Sequence, residues 1–183
     1  MNAVRPARVA VVLVLTSAAL ACSDTPTGPP LSGEAPASSL LWGGGSATVR
    51  VVERDAPLVE EISVTRTVGL LGGTVAVPEA GLLVVIPPGA VLRATPITVT
   101  APAGSLVGYR FSPHGRSFRV PLVVLQDLSG TNAGLLQGEL VAAYFEGPLA
   151  PLVEALELLP LDLFGSLGLF HVTHFSGYVV ATN

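Results

Sequence analysis

The stretch Gly72–Thr100, GGTVAVPEAGLLVVIPPGAVLRATPITVT, decides how the chain is read. Gly72-Gly73 marks a turn, because glycine adopts positive φ without a Cβ penalty. Thr74 to Val77 and Leu82 to Ile86 are short apolar runs on either side of a second break. Pro87-Pro88-Gly89 ends the second run, since proline has no N–H to offer a neighbouring strand. Ile97-Thr98-Val99-Thr100 then alternates with a period of two, which sends Ile97 and Val99 inward and the threonines outward. Strand, turn, strand, corner, strand is the grammar of an all-β protein.

The same grammar continues on both sides. Thr48 to Glu53, Ile62 to Val68, Val107 to Phe111, Val120 to Gln126, Leu140 to Phe145 and Leu169 to Ala181 are extended segments rich in Val, Leu, Thr and aromatics. Eight or nine short strands with turns between them, and no long helical pattern, predict an antiparallel β-sandwich over residues 46–183. Pro151 to Pro160 reads two ways: a short helix with Leu152, Leu156 and Leu159 on one face and Glu154 and Glu157 opposite, or an irregular edge strand. A membrane-embedded barrel does not fit. It needs strands of about 9–11 residues and aromatic girdles, whereas prolines interrupt these strands and the chain has only 6 Phe, 3 Tyr and 1 Trp.

Composition agrees. Of 183 residues, 50% are hydrophobic and 12% charged, which excludes a disordered tail, while 20 Gly and 16 Pro exclude a helical bundle. The chain has no lysine, and its formal charge of −4 becomes −6 once Arg5 and Arg8 of the export segment are removed. Scattered arginines on an acidic domain do not make the dense basic face that nucleic acid requires. The acidic surface is not drawn to anionic lipid either.

Residues 1–21 read as a signal peptide. Arg5 and Arg8 precede an apolar run from Val9 to Val14 that continues through small residues to Ala21. This run is shorter than the roughly 20 residues of a membrane-spanning helix. Ala19-Leu20-Ala21-Cys22 resembles the lipobox of bacterial lipoproteins, in which the cysteine is acylated and becomes the new N-terminus. The resemblance departs from the usual order, with Leu20 rather than Ala19 carrying the leucine. It implies a lipid on Cys22, the only cysteine. Residues 22–45 are rich in Pro, Gly and Ser and predict a flexible spacer of about 25–30 Å mean span. Ser23 after the cysteine resembles the signal for transfer to the outer membrane. The expected location is the bacterial envelope, with the domain tethered to a membrane through Cys22, or secreted and periplasmic without acylation.

Several motifs in the folded part occur in a familiar order. Gly72-Gly73-Thr74, Gly81-Leu82, Ile86-Pro87-Pro88-Gly89-Ala90, Ser112-Pro113-His114-Gly115 with Phe118 and Pro121, and His174-Phe175-Ser176-Gly177-Tyr178 resemble the ZU-five domain of zonula occludens proteins, netrin receptors and ankyrins. The resemblance spans about Val68 to Val180 and implies a β-sandwich. In some proteins with such domains, a His-Phe-Ser sequence is cut by the protein itself between Phe and Ser. By that resemblance Phe175-Ser176 is a candidate cut site, with Ser176 as nucleophile and His174 as base. Both lie on one predicted strand, two residues apart and hence on the same face.

Other chemistry finds little footing. His171 and His174 are three apart on a predicted strand, so they face opposite sides and do not converge on one metal ion. His114 reads as a turn histidine bonded to nearby backbone. The acids form no paired-carboxylate motif, and no phosphate loop or nucleophile elbow occurs. Trp42, the one tryptophan able to stack on a sugar, lies in the spacer. The expectation is a non-enzymatic envelope lipoprotein, without cofactor, metal or evident small-molecule substrate, serving a structural role or binding an unidentified envelope protein. The alternative is self-cleavage between Phe175 and Ser176.

Overall fold

The structure, a computed structural model, describes residues 46–183. The readings placed on the signal peptide, Cys22, the spacer and Trp42 lie outside those residues. The described part is all-β, with fourteen strands in antiparallel sheets. One sheet holds β1 (Ala47–Val51), β3 (Ile62–Val68), β6 (Thr95–Ala101), β8 (Gly108–Ser112), β10 (Leu140–Phe145), β11 (Leu152–Pro160) and β14 (Gly177–Thr182). Their spatial order is β1-β11-β10-β14-β8-β6-β3. A second sheet holds β4 (Gly73–Val77), β5 (Leu82–Ile86), β9 (Ser117–Asp127), β12 (Asp162–Phe164) and β13 (Leu167–His174), ordered β12-β13-β9-β5-β4. The short strands β2 (Glu53–Leu58) and β7 (Gly104–Leu106) pair with each other.

The glycine turn and the proline corner dock on one another. Gly72 has φ of +75°, and a Cβ there would lie 2.2 Å from the Ile86 carbonyl oxygen, so no other residue fits. The Gly89 N–H donates to the Leu70 carbonyl at 2.9 Å, tying the corner back to the turn. In β6, Ile97 and Val99 are buried as their alternation requires. Thr98 and Thr100 face outward, where their hydroxyls bond Thr65 and Ser63 of β3 at 2.7 Å.

Apolar side chains form two cores, on opposite faces of β10 and β14. The larger lies between the sheets and includes Val84, Val99, Phe111, Leu122, Phe170, Phe175 and Tyr178. The smaller exists because the seven-stranded sheet curls. β1 pairs with β11 through Ala47–Arg50 and also with β14 through Arg50 and Val51, while β10 pairs with both β11 and β14. These four strands close a ring. It is filled by Val49, Val51, Val141, Ala143, Phe145, Val153, Ala155, Val179 and Ala181. A register shift at Tyr144/Phe145 opposite β11 supplies bending of the kind a tight closure needs. Tyr178 and Val180 therefore point into one core, Val179 and Ala181 into the other.

A buried polar chain ties β2 to the sandwich. Arg54 donates to the Leu106 carbonyl at 2.5 Å and to the Tyr109 hydroxyl at 3.2 Å. That hydroxyl donates to the Gln126 side-chain carbonyl, and the Gln126 amide donates to the Ala80 and Asp127 carbonyls. Burial pushes the Tyr109 phenol up to about 12, against a smaller opposite pull from Arg54.

Two expectations change and one open reading is resolved. Fourteen strands replace eight or nine, because β2, β7 and β12 are too short or too polar to carry a clear alternation. Residues 152–160 form a strand with no helical turn, since backbone partners on β1 and β10 are available to them on both sides. The expected single strand Leu169–Ala181 is two strands in different sheets, β13 and β14, with Phe175-Ser176 as the crossing between them.

Candidate functional site: the Phe175–Ser176 crossing

The crossing is built by a turn distant in sequence. Residues Ser112 to Arg116 connect β8 in one sheet to β9 in the other, and β13 to β14 makes the reverse passage beside it. Backbone groups of the two passages satisfy each other. The Phe175 N–H donates to the Arg116 carbonyl at 2.8 Å, the Gly115 N–H to the Phe175 carbonyl at 3.0 Å, and the Phe111 N–H to the Ser176 carbonyl at 3.0 Å. Gly115 has φ of +73°, a left-handed conformation suited to glycine, and its N–H meets the Phe175 oxygen from there. Such pairing lets an irregular crossing stay buried without orphaned backbone groups.

The Phe175 ring then anchors the crossing. It is fully buried, stacked on Phe111 at 5.6 Å between centroids and edge-on to Phe118 at 4.6 Å. Phe111 and Phe118 thus fill the core beneath the turn that they flank.

Ser176 is 2% exposed, and its Oγ lies 3.3 Å from His114 Nε2. The imidazole itself stands at the surface. A pocket of about 310 Å³ opens beside the pair, with Arg110, His114, Glu146, Gly147, Ser176 and Gly177 among its lining.

His174 takes another direction. Its ring nitrogens lie 3.3 and 3.4 Å from the Tyr178 hydroxyl, which donates to the His174 carbonyl at 2.8 Å. Its Nε2 is 3.5 Å from a Glu157 carboxylate oxygen, and the Tyr144 ring meets it edge-on at 4.8 Å. The Tyr144 hydroxyl bonds the Glu146 carboxylate, which raises its pKa. Burial, followed by the nearby Glu157 charge, raises that of Tyr178.

The placement of His174 and Ser176 on one strand face is therefore corrected. β13 ends at His174, the chain turns, and the serine meets the histidine of the 112–116 turn instead. Two-residue spacing implies a shared face only while the strand is unbroken. His114, 62 positions earlier, was expected to bond nearby backbone as a turn histidine, whereas its Nε2 faces the Ser176 hydroxyl, a role the sequence did not reveal. The one available signal was the co-occurrence of a Pro-His-Gly turn and a His-Phe-Ser crossing.

His171 stands exposed on β13, opposite Val123 of β9. Among the described residues no group of three or more His, Cys, Asp or Glu side chains is placed to hold a metal ion. Among the described residues no helix is long and apolar enough to cross a membrane.

A carbonyl that accepts from a fixed N–H, next to a hydroxyl within hydrogen-bond reach of an imidazole, has the layout of an acyl-transfer centre. Neither a known protein-family model nor a curated protein sequence matches this chain.

Proposed function

We propose that the chain is a bacterial envelope lipoprotein, held to the outer membrane through Cys22, that displays a ZU-five-like β-sandwich as a structural or protein-interaction module. The observation that carries the interaction reading is the unpaired edge of the five-stranded sheet. There, among the described residues, β12 bonds only to β13, and Leu163 and Phe164 are 50% and 64% exposed. An open edge with apolar side chains in water is a surface on which another strand can add. The ordered motifs from Gly72 to Tyr178 support the family reading.

Two measurements test this. The mass of the mature N-terminal peptide should show an acylated Cys22, and an unmodified thiol there overturns the anchor. A photo-crosslinking side chain at Phe164, activated in intact cells, should give a discrete adduct with an envelope protein. Its repeated failure to do so overturns the interaction reading.

A second reading is favoured by a specific observation: the Phe175 carbonyl accepts from Gly115, and the Ser176 hydroxyl lies beside His114. In this reading the protein cuts itself between Phe175 and Ser176. The Ser176 oxygen attacks the Phe175 carbonyl carbon, and its proton passes to a base. The C–N bond breaks, the departing amine takes a proton, and an ester links Phe175 to the Ser176 oxygen. Water then hydrolyses the ester to a Phe175 carboxylate and a free N-terminal Ser176. Intact mass after denaturation tests it, since a chain ending at Phe175 is expected and one continuous through Asn183 rejects it.

A further inference from the structure

We propose that the Ser112–Arg116 turn carries the machinery of the self-cleaving reading, with His114 as the base for Ser176 and the Gly115 N–H as the donor to the developing oxyanion. This inference rests on that second reading and assigns its base to His114 rather than to His174, the residue to which the sequence resemblance pointed.

Three placements carry it. First, His114 Nε2 is 3.3 Å from Ser176 Oγ, whereas the His174 ring is engaged by Tyr178, Tyr144 and Glu157. A general base must be within hydrogen-bond reach of the proton it takes. Second, the Gly115 N–H already lies 3.0 Å from the Phe175 oxygen, the atom that becomes an oxyanion during attack. A donor fixed in advance gains strength as charge develops, without reorganising. Third, the acyl group is clamped by the buried Phe175 ring, whereas His114 is exposed beside an open pocket. The imidazole takes the Ser176 hydroxyl proton and returns it to the Ser176 nitrogen as the C–N bond breaks. Water entering from the pocket then resolves the ester.

The location of the cut has a structural consequence. Ser176 to Asn183 contains all of β14, the strand between β10 and β8 that is buried on both faces. Cleavage would leave this strand seated, so the cut is read only after denaturation.

The test follows the full-length chain made by cell-free translation, sampled over time, denatured and weighed. Four forms are compared: the unaltered chain, Ser176→Ala, His114→Ala and His174→Gln. Far-UV circular dichroism confirms that each is folded. The unaltered chain should lose Ser176–Asn183, and Ser176→Ala should remain whole. His114→Ala should cut about 10²-fold more slowly or worse. Added imidazole should restore its rate by occupying the vacated space, a rescue that a merely structural role would not produce. His174→Gln should cut at the unaltered rate. An unaltered chain that stays whole overturns both the self-cleaving reading and this assignment. Cutting that survives His114→Ala, stops with His174→Gln, or is slowed by His114→Ala without imidazole rescue overturns the assignment alone.

Discussion

The two cores on either face of β14 are filled by different kinds of side chain. Between the sheets lie Phe111, Phe118, Phe170, Phe175, Tyr109 and Tyr178, together with the Arg54–Tyr109–Gln126 chain. Inside the ring closed by β1, β11, β10 and β14, the fill is valine and alanine with the single ring of Phe145. The difference follows from the space available. Facing sheets stand about 10 Å apart and need large side chains from both to meet. Four strands closing on themselves leave a narrow interior, which Ala143, Ala155 and Ala181 suit. One strand can serve both because its side chains alternate: Tyr178 and Val180 enter the wide space, Val179 and Ala181 the narrow one.

Four changes break or sharpen that contrast. The largest effect is expected from Phe175→Ala, which removes a fully buried ring from the wide core and leaves a cavity between Phe111 and Phe118. A loss of about 3–5 kcal/mol is expected in denaturant unfolding. A loss below about 1 kcal/mol would show that the crossing collapses into the gap and that the aromatic cluster is not what holds the sheets.

Alkaline pH should loosen the wide core next. Tyrosine in the unfolded chain loses its proton near pH 10, whereas folded Tyr109 keeps its own until about 12, chiefly because it is buried. Its contribution is whole below pH 10 and is lost as pH rises from 10 towards 12, because deprotonation favours the unfolded chain. A difference of this size corresponds to roughly 2–3 kcal/mol. Urea unfolding at pH 9 and pH 11.5 should reveal the decline, and Tyr109→Phe should make it shallower, with the remainder belonging to Tyr178 and Tyr144, whose pKa values are also raised. An equally steep decline in Tyr109→Phe would assign the effect elsewhere.

The narrow core should respond in the opposite sense to size. Ala143→Leu adds bulk where little space remains, and about 1–3 kcal/mol of destabilisation is expected from overpacking. A neutral or stabilising result would mean that the ring is looser than its alanines imply. The smallest effect belongs to neither core: Phe164→Ser on β12 should change stability by less than about 0.5 kcal/mol, because that ring is 64% exposed. A larger loss in thermal unfolding would show that the edge supports the sandwich.

Legibility in the sequence tracked how local each feature is. The Gly72 turn, the proline corner and the alternation of Ile97 to Thr100 could be read from adjacent residues, and all three took the expected form. Pro151–Pro160 could not be resolved. Val153 and Ala155 point into the ring, but a ring requires β1 and β14 to meet, and no residue within β11 reports that. The crossing misled for the same reason. The run from Leu169 to Ala181 reads as one strand although its alternation breaks at His174 to Gly177, because a Ser-Gly pair does not by itself tell a local bend from a passage between sheets. His174 lies two residues from Ser176 and looks like its neighbour, yet His114 is the histidine beside its hydroxyl.

By itself, then, the sequence determined the longer alternating segments that extend, where glycine and proline force turns, and which of their side chains avoid water. These follow from φ restrictions, missing donors and a period of two, all of which act within a few residues. Tertiary structure alone decided how the strands divide between sheets, that one sheet curls to enclose a second core, and which histidine stands beside Ser176. A period of two tells inward from outward; it carries no information about which strand lies alongside, because pairing is set by backbone groups that every residue shares.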